Sequence, residues 1–291
     1  MTPQCSRHDV GGNIEAMHCI FCKRDSTGSR SEEHIIPESL GNEEHVLPPG
    51  VVCDACNNYF ASSIEQVVLE SGEFKTARFN MVVPNKRNRV PSVDGMLLPL
   101  QPGMTLSEAA RFHRADVSRN VEDGSYNLFP EEAAVAAVAD GRITRMIIPT
   151  TGPKPDRTVF ARFLGKVAVE AMAARLLKNA PEMLEEFVQD DQIDILRNYA
   201  RYGKQGLEWP YSERRIYPPD FSFPSPNGGA YEVLHEFDFL HTEQGEMYFV
   251  LAILGTEYAI NMAGPDCEGY TQWLAEHGGI SPLYRKEGFP A

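Results

Sequence analysis

Residues 17–70 read MHCIFCKRDSTGSRSEEHIIPESLGNEEHVLPPGVVCDACNNYFASSIEQVVLE. This stretch holds four of the six cysteines of the chain, arranged as two CxxC pairs, Cys19/Cys22 and Cys53/Cys56. Four thiolates in two such pairs suit a closed tetrahedral zinc site, and a site without an open coordination position stabilises structure. The sequence therefore predicts a structural Zn²⁺ ion on these four cysteines. The alternative is a set of buried free cysteines.

Between the two pairs lies Glu33-His34, and Asn57 follows the second pair at the start of a helix expected over 54–71. Zinc would clamp the two pairs together and bring the strand carrying Glu33 against this helix. Carboxylate and amide oxygens are ligands that suit Mg²⁺ or a similar hard ion. His34 is expected on the opposite face of the strand, where an imidazole can act as a general base. Its alternative is a hydrogen-bonded structural histidine.

The composition is that of a soluble globular protein. The chain has 291 residues, a length that is enough for two domains with a sizeable core. Hydrophobic residues make up 42% and charged residues 23%, which is ordinary for a globular protein. The apolar runs are far shorter than the roughly 20 residues that a membrane span needs. The first residues have no apolar core typical of a secretory signal. We therefore expect a cytoplasmic protein, with no membrane partner, in a compartment where clustered cysteines bind metal.

The net charge of −14 disfavours broad binding to nucleic acid, because acidic chains repel phosphate. Residues 1–90 carry nine Lys/Arg and twelve Asp/Glu, whereas residues 91–291 carry the remaining 18 and 29. A nucleic-acid substrate would therefore have to contact local basic residues and a metal ion. The candidates are Lys23, Arg24, Arg30 and the run Lys86-Arg87-Asn88-Arg89. The alternative for each of these charges is a solvated surface.

The remaining chain predicts an α+β fold with two domains, a zinc-stapled module over residues 1–75 and a larger α+β domain over 76–291. The strongest helix is expected over 158–179, where apolar residues recur at helical spacing. An antiparallel sheet is expected from three C-terminal segments, 231–240, 247–254 and 257–262. Further expectations are a strand over 77–83 and a helix over 106–114. Cys5 and His8 belong to a lead-in expected to be flexible.

The pattern CxxC–EHIIP–SLG–VVCDxCNN–F–IE resembles the HNH nucleases of the ββα-metal type that carry a four-cysteine zinc site. The resemblance covers about residues 17–70. It implies that Glu33 is the metal-binding acid, that His34 is the general base, and that Asn57 is a metal ligand on the helix. It also implies phosphodiester hydrolysis that leaves 5′ phosphates. The residues matching the structural zinc ligands are Cys19, Cys22, Cys53 and Cys56.

This chain departs from the family pattern at three places. Many family members have Asp where this chain has Glu33, and many have His where it has Asn57. An amide oxygen at Asn57 favours Mg²⁺ or Mn²⁺ over softer metals. In the family, the asparagine that supports the base histidine usually lies a few residues before the second CxxC pair. This chain has Pro48-Pro49-Gly50 at that place. Asn42 and Asn58 are candidates to replace it.

The leading hypothesis is therefore a divalent-metal-dependent endonuclease acting on DNA. Proteins in which a module of this family is joined to an unknown domain often belong to phage, mobile elements or antiphage defence. By this association alone, we expect the protein to act in such a setting. The alternatives are an RNase that uses the same site, and a zinc module that binds nucleic acid or protein without cutting it. A homodimer would supply two sites for the two strands of a duplex. The role of residues 76–291 is expected to be specificity, dimerisation or regulation.

Overall fold

The structure, a computed structural model, describes residues 17–42, 44–99, 113–203, 207–217, 223–224, 230–231 and 235–284. The lead-in with Cys5 and His8, and the helix expected over 106–114, lie outside the described residues.

The N-terminal module is a short hairpin followed by a helix. Strands β1 (Glu33–His34) and β2 (Val46–Leu47) pair antiparallel, with Glu33 opposite Leu47 and His34 opposite Val46. Helix α1 (Asp54–Phe60) begins directly after Cys53, and a π-helical segment (Ala61–Glu65) joins it to α2 (Gln66–Leu69). The predicted helix is thus present, with a wider turn in its middle.

The π-helical segment explains how this helix buries its apolar residues. Phe60, Ile64 and Val68 are spaced four apart and all are fully buried. Side chains at that spacing drift around an ordinary α-helix of 3.6 residues per turn. A turn closed by i→i+5 hydrogen bonds holds more residues, so the three side chains stay on one face.

The strand predicted over 77–83 is wrong, because residues 77–80 belong to helix α3 (Gly72–Asn80) and residues 81–83 form a turn and no strand. The start of α3 packs closely on another segment, since a Cβ on Gly72 would lie 2.3 Å from Cδ of Pro153. At its end, the Arg119 side chain donates a hydrogen bond to the Asn80 carbonyl oxygen at 2.6 Å. These tertiary contacts outweigh the strand preference of the local sequence, which is a weak determinant.

A first four-stranded antiparallel sheet follows α3, with the strand order β5-β4-β3-β6. Its strands are β3 (Val93–Pro99), β4 (His113–Arg119), β5 (Tyr126–Pro130) and β6 (Ile143–Ile147). Helix α4 (Glu132–Ala139) buries Ala134 and Ala137 against a small apolar cluster of this sheet.

Helix α5 (Arg157–Asn179) is the central helix, as predicted. Asp156 caps it, since its carboxylate accepts hydrogen bonds from the amides of Thr158 and Val159 at 3.0 Å each. Most of its middle is buried from residue 160 to residue 171, and this stretch includes the charged Lys166 and Glu170. Helices α6 (Leu184–Gln189) and α7 (Asp191–Tyr202) follow.

A second four-stranded antiparallel sheet has the order β10-β11-β12-β7. The predicted C-terminal meander corresponds to three of its strands, and the fourth strand, β7, was not predicted. The bounds are β7 (Tyr211–Arg215), β10 (His235–His241), β11 (Met247–Ile253) and β12 (Thr256–Asn261). The short pair β8 (Phe223–Pro224) and β9 (Ala230–Tyr231) and helix α8 (Glu268–Glu276) complete the described elements.

The α+β fold class is confirmed, with the cysteine-rich module at the N-terminus and an antiparallel sheet at the C-terminus. One apolar core joins the module to the rest, because Phe21 and Phe60 belong to the same buried cluster as Phe163 on α5 and Phe249 on β11. The boundary expected after residue 75 falls inside α3, and the division into two domains stays a prediction. None of the described helices is long and apolar enough to cross a membrane.

Candidate functional site

The four cysteines of the two CxxC pairs form one cluster. The sulfur atoms of Cys19, Cys22, Cys53 and Cys56 all lie within 4.8 Å of one another, and none of them forms a disulfide. The sulfur atoms of Cys22 and Cys53 are 3.6 Å apart. Four thiols gathered at this distance suit tetrahedral zinc, as the spacing predicted.

Contacts on both sides of the cluster position these cysteines. In the turn that carries Cys19 and Cys22, the Cys19 amide donates a hydrogen bond to the Arg24 carbonyl oxygen at 2.9 Å, and Lys23 has a positive φ of 56°. The Asp54 carboxylate, at the start of α1, accepts hydrogen bonds from the amides of Arg30 and Ser31. Arg201 of α7 donates a hydrogen bond to the Cys56 sulfur at 3.2 Å.

The predicted convergence of Glu33, His34 and Asn57 is present. All three residues line one cavity of about 340 Å³. Glu33 and His34 are adjacent on strand β1 and both border this cavity. The expectation that their side chains lie on opposite faces of the strand stays a prediction. Their roles in binding and catalysis stay predictions.

Glu33 and Asn57 each have an oxygen atom available to a cation. Glu33 is 4% exposed, and its buried Oε2 has no hydrogen-bond partner among the described residues. The side-chain nitrogen of Asn57 donates to the Glu32 carbonyl oxygen at 3.0 Å, which leaves the amide oxygen as the free end. An orphaned carboxylate oxygen and an amide oxygen on one cavity fit a hard divalent ion.

The other oxygen of Glu33 contacts a residue that the sequence analysis missed. Oε1 lies 2.6 Å from the ammonium nitrogen of Lys166, which is fully buried. The same nitrogen lies 2.5 Å from Glu65 Oε1 and 2.9 Å from Glu170 Oε2. It also donates a hydrogen bond to the His34 carbonyl oxygen at 3.0 Å. Lys166 therefore connects α5 to strand β1, which contains Glu33 and His34, and to the π-helical segment, which contains Glu65.

A sequence signal for this cluster was present. Lys166 and Glu170 are four residues apart in the middle of a helix whose neighbouring positions are apolar, and a buried charge requires a partner. No such signal linked them to Glu33, since the three residues are far apart in the chain. Glu65 belongs to the π-helical segment, a feature that occurs often at functional sites.

The cluster contains three carboxylates and one ammonium group. Burial raises the pKa of Glu170 well above its usual range and also raises the pKa of Glu33, although Lys166 opposes both shifts. Burial by itself lowers the pKa of Lys166, but Glu170, Glu33 and Glu65 outweigh it and hold that pKa well above its usual range. Lys166 is therefore charged, and all three carboxylates lie next to its ammonium group.

The imidazole of His34 has a free nitrogen. Its Nδ1 is buried and has no hydrogen-bond partner among the described residues. Asn42, a candidate to support His34, is engaged elsewhere: its nitrogen donates to the carbonyl oxygens of Ile36 and His45, and its oxygen accepts from the amides of Glu44 and His45. Asn42 thus holds the β1–β2 connection. Asn58, the other candidate, does not line the cavity.

Two of the cavity-lining residues are basic. Arg78 of α3 and Lys86 of the following loop border the same space as His34. Lys86 was among the predicted phosphate contacts, and Arg78 was not. Lys23, another predicted contact, is instead paired with Asp194 of α7 at 2.8 Å.

A two-stranded hairpin followed by a helix, with a four-cysteine cluster beside it and a Glu-His pair on the first strand, resembles the ββα-metal class of nuclease modules. Residues 19–70 match the family model described as HNH endonuclease. The match covers under a fifth of the chain, and it agrees with the resemblance drawn from the sequence. No curated protein and no solved structure matches the chain.

Proposed function

We propose that this protein is a divalent-metal-dependent endonuclease that hydrolyses phosphodiester bonds in DNA. The observation that carries the proposal is the presence of Glu33, His34 and Asn57 on one cavity next to the four-cysteine cluster. The family match at residues 19–70 supports a nuclease-type function in general. The choice of DNA, and a role in phage defence or in a mobile element, come from the resemblance and stay predictions.

His34 is proposed to act as the general base. Its unpartnered Nδ1 can accept a proton from a water molecule, and that water then attacks the phosphorus in line with the leaving 3′ oxygen. The hydrogen bond from Lys166 to the His34 carbonyl oxygen holds the backbone of the base in place. The products carry 5′ phosphates.

Glu33 and Asn57 are the proposed ligands of the catalytic ion, through Oε2 and the amide oxygen. A Mg²⁺ or Mn²⁺ ion held there supplies Lewis-acid stabilisation of the charge that develops on the phosphate and on the leaving oxygen. Lys166 keeps Oε1 of Glu33 occupied, so that Oε2 is the oxygen left without a partner among the described residues.

The four cysteines are proposed to bind a structural Zn²⁺ ion that fixes the start of α1, and hence Asn57, relative to β1. RNA is the second candidate substrate, because the same residues could cleave either backbone. A homodimer is a further proposal, since two copies would supply one site for each strand of a duplex.

Plasmid nicking in Mg²⁺ or Mn²⁺ tests the proposal. The wild-type protein should convert supercoiled plasmid to nicked or linear DNA, and His34→Ala should lower the rate by roughly 100-fold or more, the usual contribution of a general base. Glu33→Gln and Asn57→Ala should also lose activity, with a higher metal requirement. His241→Ala, at an exposed strand end, is the matched histidine control.

Each result separates one alternative from the others. Nicking by His34→Ala at the wild-type rate would remove His34 from the mechanism. Cleavage of RNA without cleavage of DNA would support the RNase. Binding of DNA or RNA without cleavage of either, at any metal concentration, would leave a zinc-stapled binding module.

A further inference from the structure

Arg78 is a buried cation for which the described residues offer no hydrogen-bond or ion-pair partner. The residue is 4% exposed, and its Nε is fully buried without a hydrogen bond. Within the described part of the chain, its guanidinium forms neither a hydrogen bond nor an ion pair. The other buried arginine of the described residues, Arg197, is paired with Asp194 and with the Phe187 carbonyl oxygen.

An unpaired guanidinium in such a place is costly. Burying a charge without a compensating partner is among the most unfavourable changes in protein stability, and native proteins pair such groups or use them to bind ligands. Burial lowers the pKa of Arg78, and Glu70 only partly opposes that effect. Because Arg78 and Glu70 both line the candidate nuclease cavity, the missing partner is expected to be a ligand in that cavity.

The guanidinium of Arg78 favours an anion as the ligand. A guanidinium presents several N–H donors in a planar fork that matches the oxygens of a phosphate. Lys86 lines the same cavity with an exposed side chain and supplies a second positive charge. The loop that carries Lys86 is held by Asn85, whose side-chain oxygen accepts hydrogen bonds from the amides of Arg87 and Arg89.

The carboxylates of the cavity limit what can bind there. Glu32, Glu33, Glu38, Glu65 and Glu70 all border it, so a free anion would meet repulsion. An anion is accommodated where its charge meets Arg78 and Lys86 and where the carboxylates are compensated by Lys166 and by the proposed divalent ion. A backbone phosphate of nucleic acid, fixed by its neighbours along the strand, satisfies this requirement.

We propose that Arg78 and Lys86 form a phosphate-binding subsite, which holds a backbone phosphate of the nucleic-acid substrate beside the phosphate that is cut. This inference rests on the proposed function and extends the site beyond residues 19–70, into α3 and the loop after it. Arg78 and Lys86 are positioning residues, since their role is to bind and align the strand.

The test measures binding without cleavage. In the His34→Ala background with Mg²⁺, a fluorescein-labelled DNA duplex of 20 base pairs is titrated by fluorescence anisotropy at several salt concentrations. Arg78→Met should weaken binding by about 10-fold to 100-fold, the usual effect of losing a charge-assisted hydrogen bond. It should also reduce the salt slope of log K by about 0.9, as expected for one lost phosphate contact.

Two further variants complete the test. Lys86→Met should reduce the salt slope by a similar amount and weaken binding less, because its side chain is exposed. Lys178→Met is the matched control, since Lys178 is also an exposed lysine, in the last turn of α5, and does not line the cavity. It should leave both affinity and salt slope within twofold of the parent.

Thermal melting separates binding from folding. Arg78→Met removes an unpaired buried charge, so its melting temperature should equal or exceed that of the parent. Unchanged affinity and salt slope in Arg78→Met would overturn the subsite, and so would a lower melting temperature with a proportional loss of bound duplex. If the wild type cuts DNA and Arg78→Met binds normally, only the subsite fails. If Arg78→Met loses binding and the wild type cuts no nucleic acid, only the nuclease fails.

Discussion

The ammonium nitrogen of Lys166 lies 2.6 Å from Oε1 of Glu33, in a position where both side chains are buried. Lys166 comes from the middle of α5, and Glu33 begins the strand that carries the proposed base. This contact joins the nuclease-like module to the central helix of the rest of the chain. Because Glu65 and Glu170 share the same ammonium group, the module and α5 are held by one buried charge cluster.

Removing Lys166 should destabilise the protein strongly. Lys166→Met leaves the buried carboxylates of Glu33 and Glu170 and the partly buried one of Glu65 without their cation. Breaking a buried pair in this way costs about 3–5 kcal/mol. Lys154→Met, which removes an exposed ion pair with Glu213, should cost less than about 1 kcal/mol. Urea unfolding measures both.

A double variant tests the physical reason for that effect. Lys166→Met combined with Glu170→Gln should lose less stability than the sum of the two single variants, because one uncompensated carboxylate is removed together with the cation. Additive free energies of unfolding would show that Lys166 acts by packing and not by charge.

Asn42 should matter for stability and not for zinc. Asn42→Ala leaves two carbonyl oxygens and two amides of the β1–β2 connection without their partner, so we expect a loss of roughly 2–4 kcal/mol. Asn58→Ala, on the exposed side of α1, should change stability by less than about 0.5 kcal/mol. Chemical denaturation with zinc analysis checks both, and equal stability of the two variants would contradict the role of Asn42.

Cys53→Ser should release zinc and destabilise the N-terminal module. Three thiolates hold the ion less well than four, and metal binding contributes directly to the folding of such sites. Cys267→Ser is the control, because Cys267 lies outside the cluster near the Ala259 carbonyl oxygen. Zinc content by elemental analysis and thermal melting report the result. Full zinc occupancy in Cys53→Ser would contradict the assignment of the cluster.

His235 should make the protein sensitive to acid. Burial, together with the nearby ring of His45, lowers the pKa of His235 to about 4. In the unfolded chain a histidine has a pKa of about 6.5, so between these values only the unfolded state takes up the proton. Stability should therefore fall as the pH is lowered from about 6.5 towards about 4, and this group should have no effect above about pH 7.5.

His235→Phe tests this dependence. The variant cannot bind the proton, so its free energy of unfolding should fall less steeply between pH 6.5 and pH 4.5 than that of the wild type. The difference has a ceiling of about 1.4 kcal/mol per pH unit, the value for one proton. His241→Phe, on the same strand at an exposed position, should keep the wild-type slope. Parallel curves for His235→Phe and the wild type would reject the assignment.

The four-cysteine cluster and the convergence of Glu33, His34 and Asn57 on one cavity could be predicted because they depend on local chemistry. The spacing of the cysteines indicates which four side chains can bind one ion. When the two CxxC pairs are held together, the residues between them and directly after them have few possible positions. The central helix could also be predicted from the sequence, since its apolar residues recur at helical spacing. The strand expected over 77–83 was wrong because its residues favour strands only when packing permits.

The sequence by itself determined the N-terminal module: its four-cysteine cluster, its acid and histidine, and the helix that carries Asn57. Only the tertiary structure decided that Lys166 pairs with Glu33, that Asn42 holds a turn, and that Arg78 lines the cavity with no partner among the described residues. The physical reason is that these facts depend on which distant groups share one buried space. Charge pairing and desolvation act through space, so no spacing along the chain encodes them.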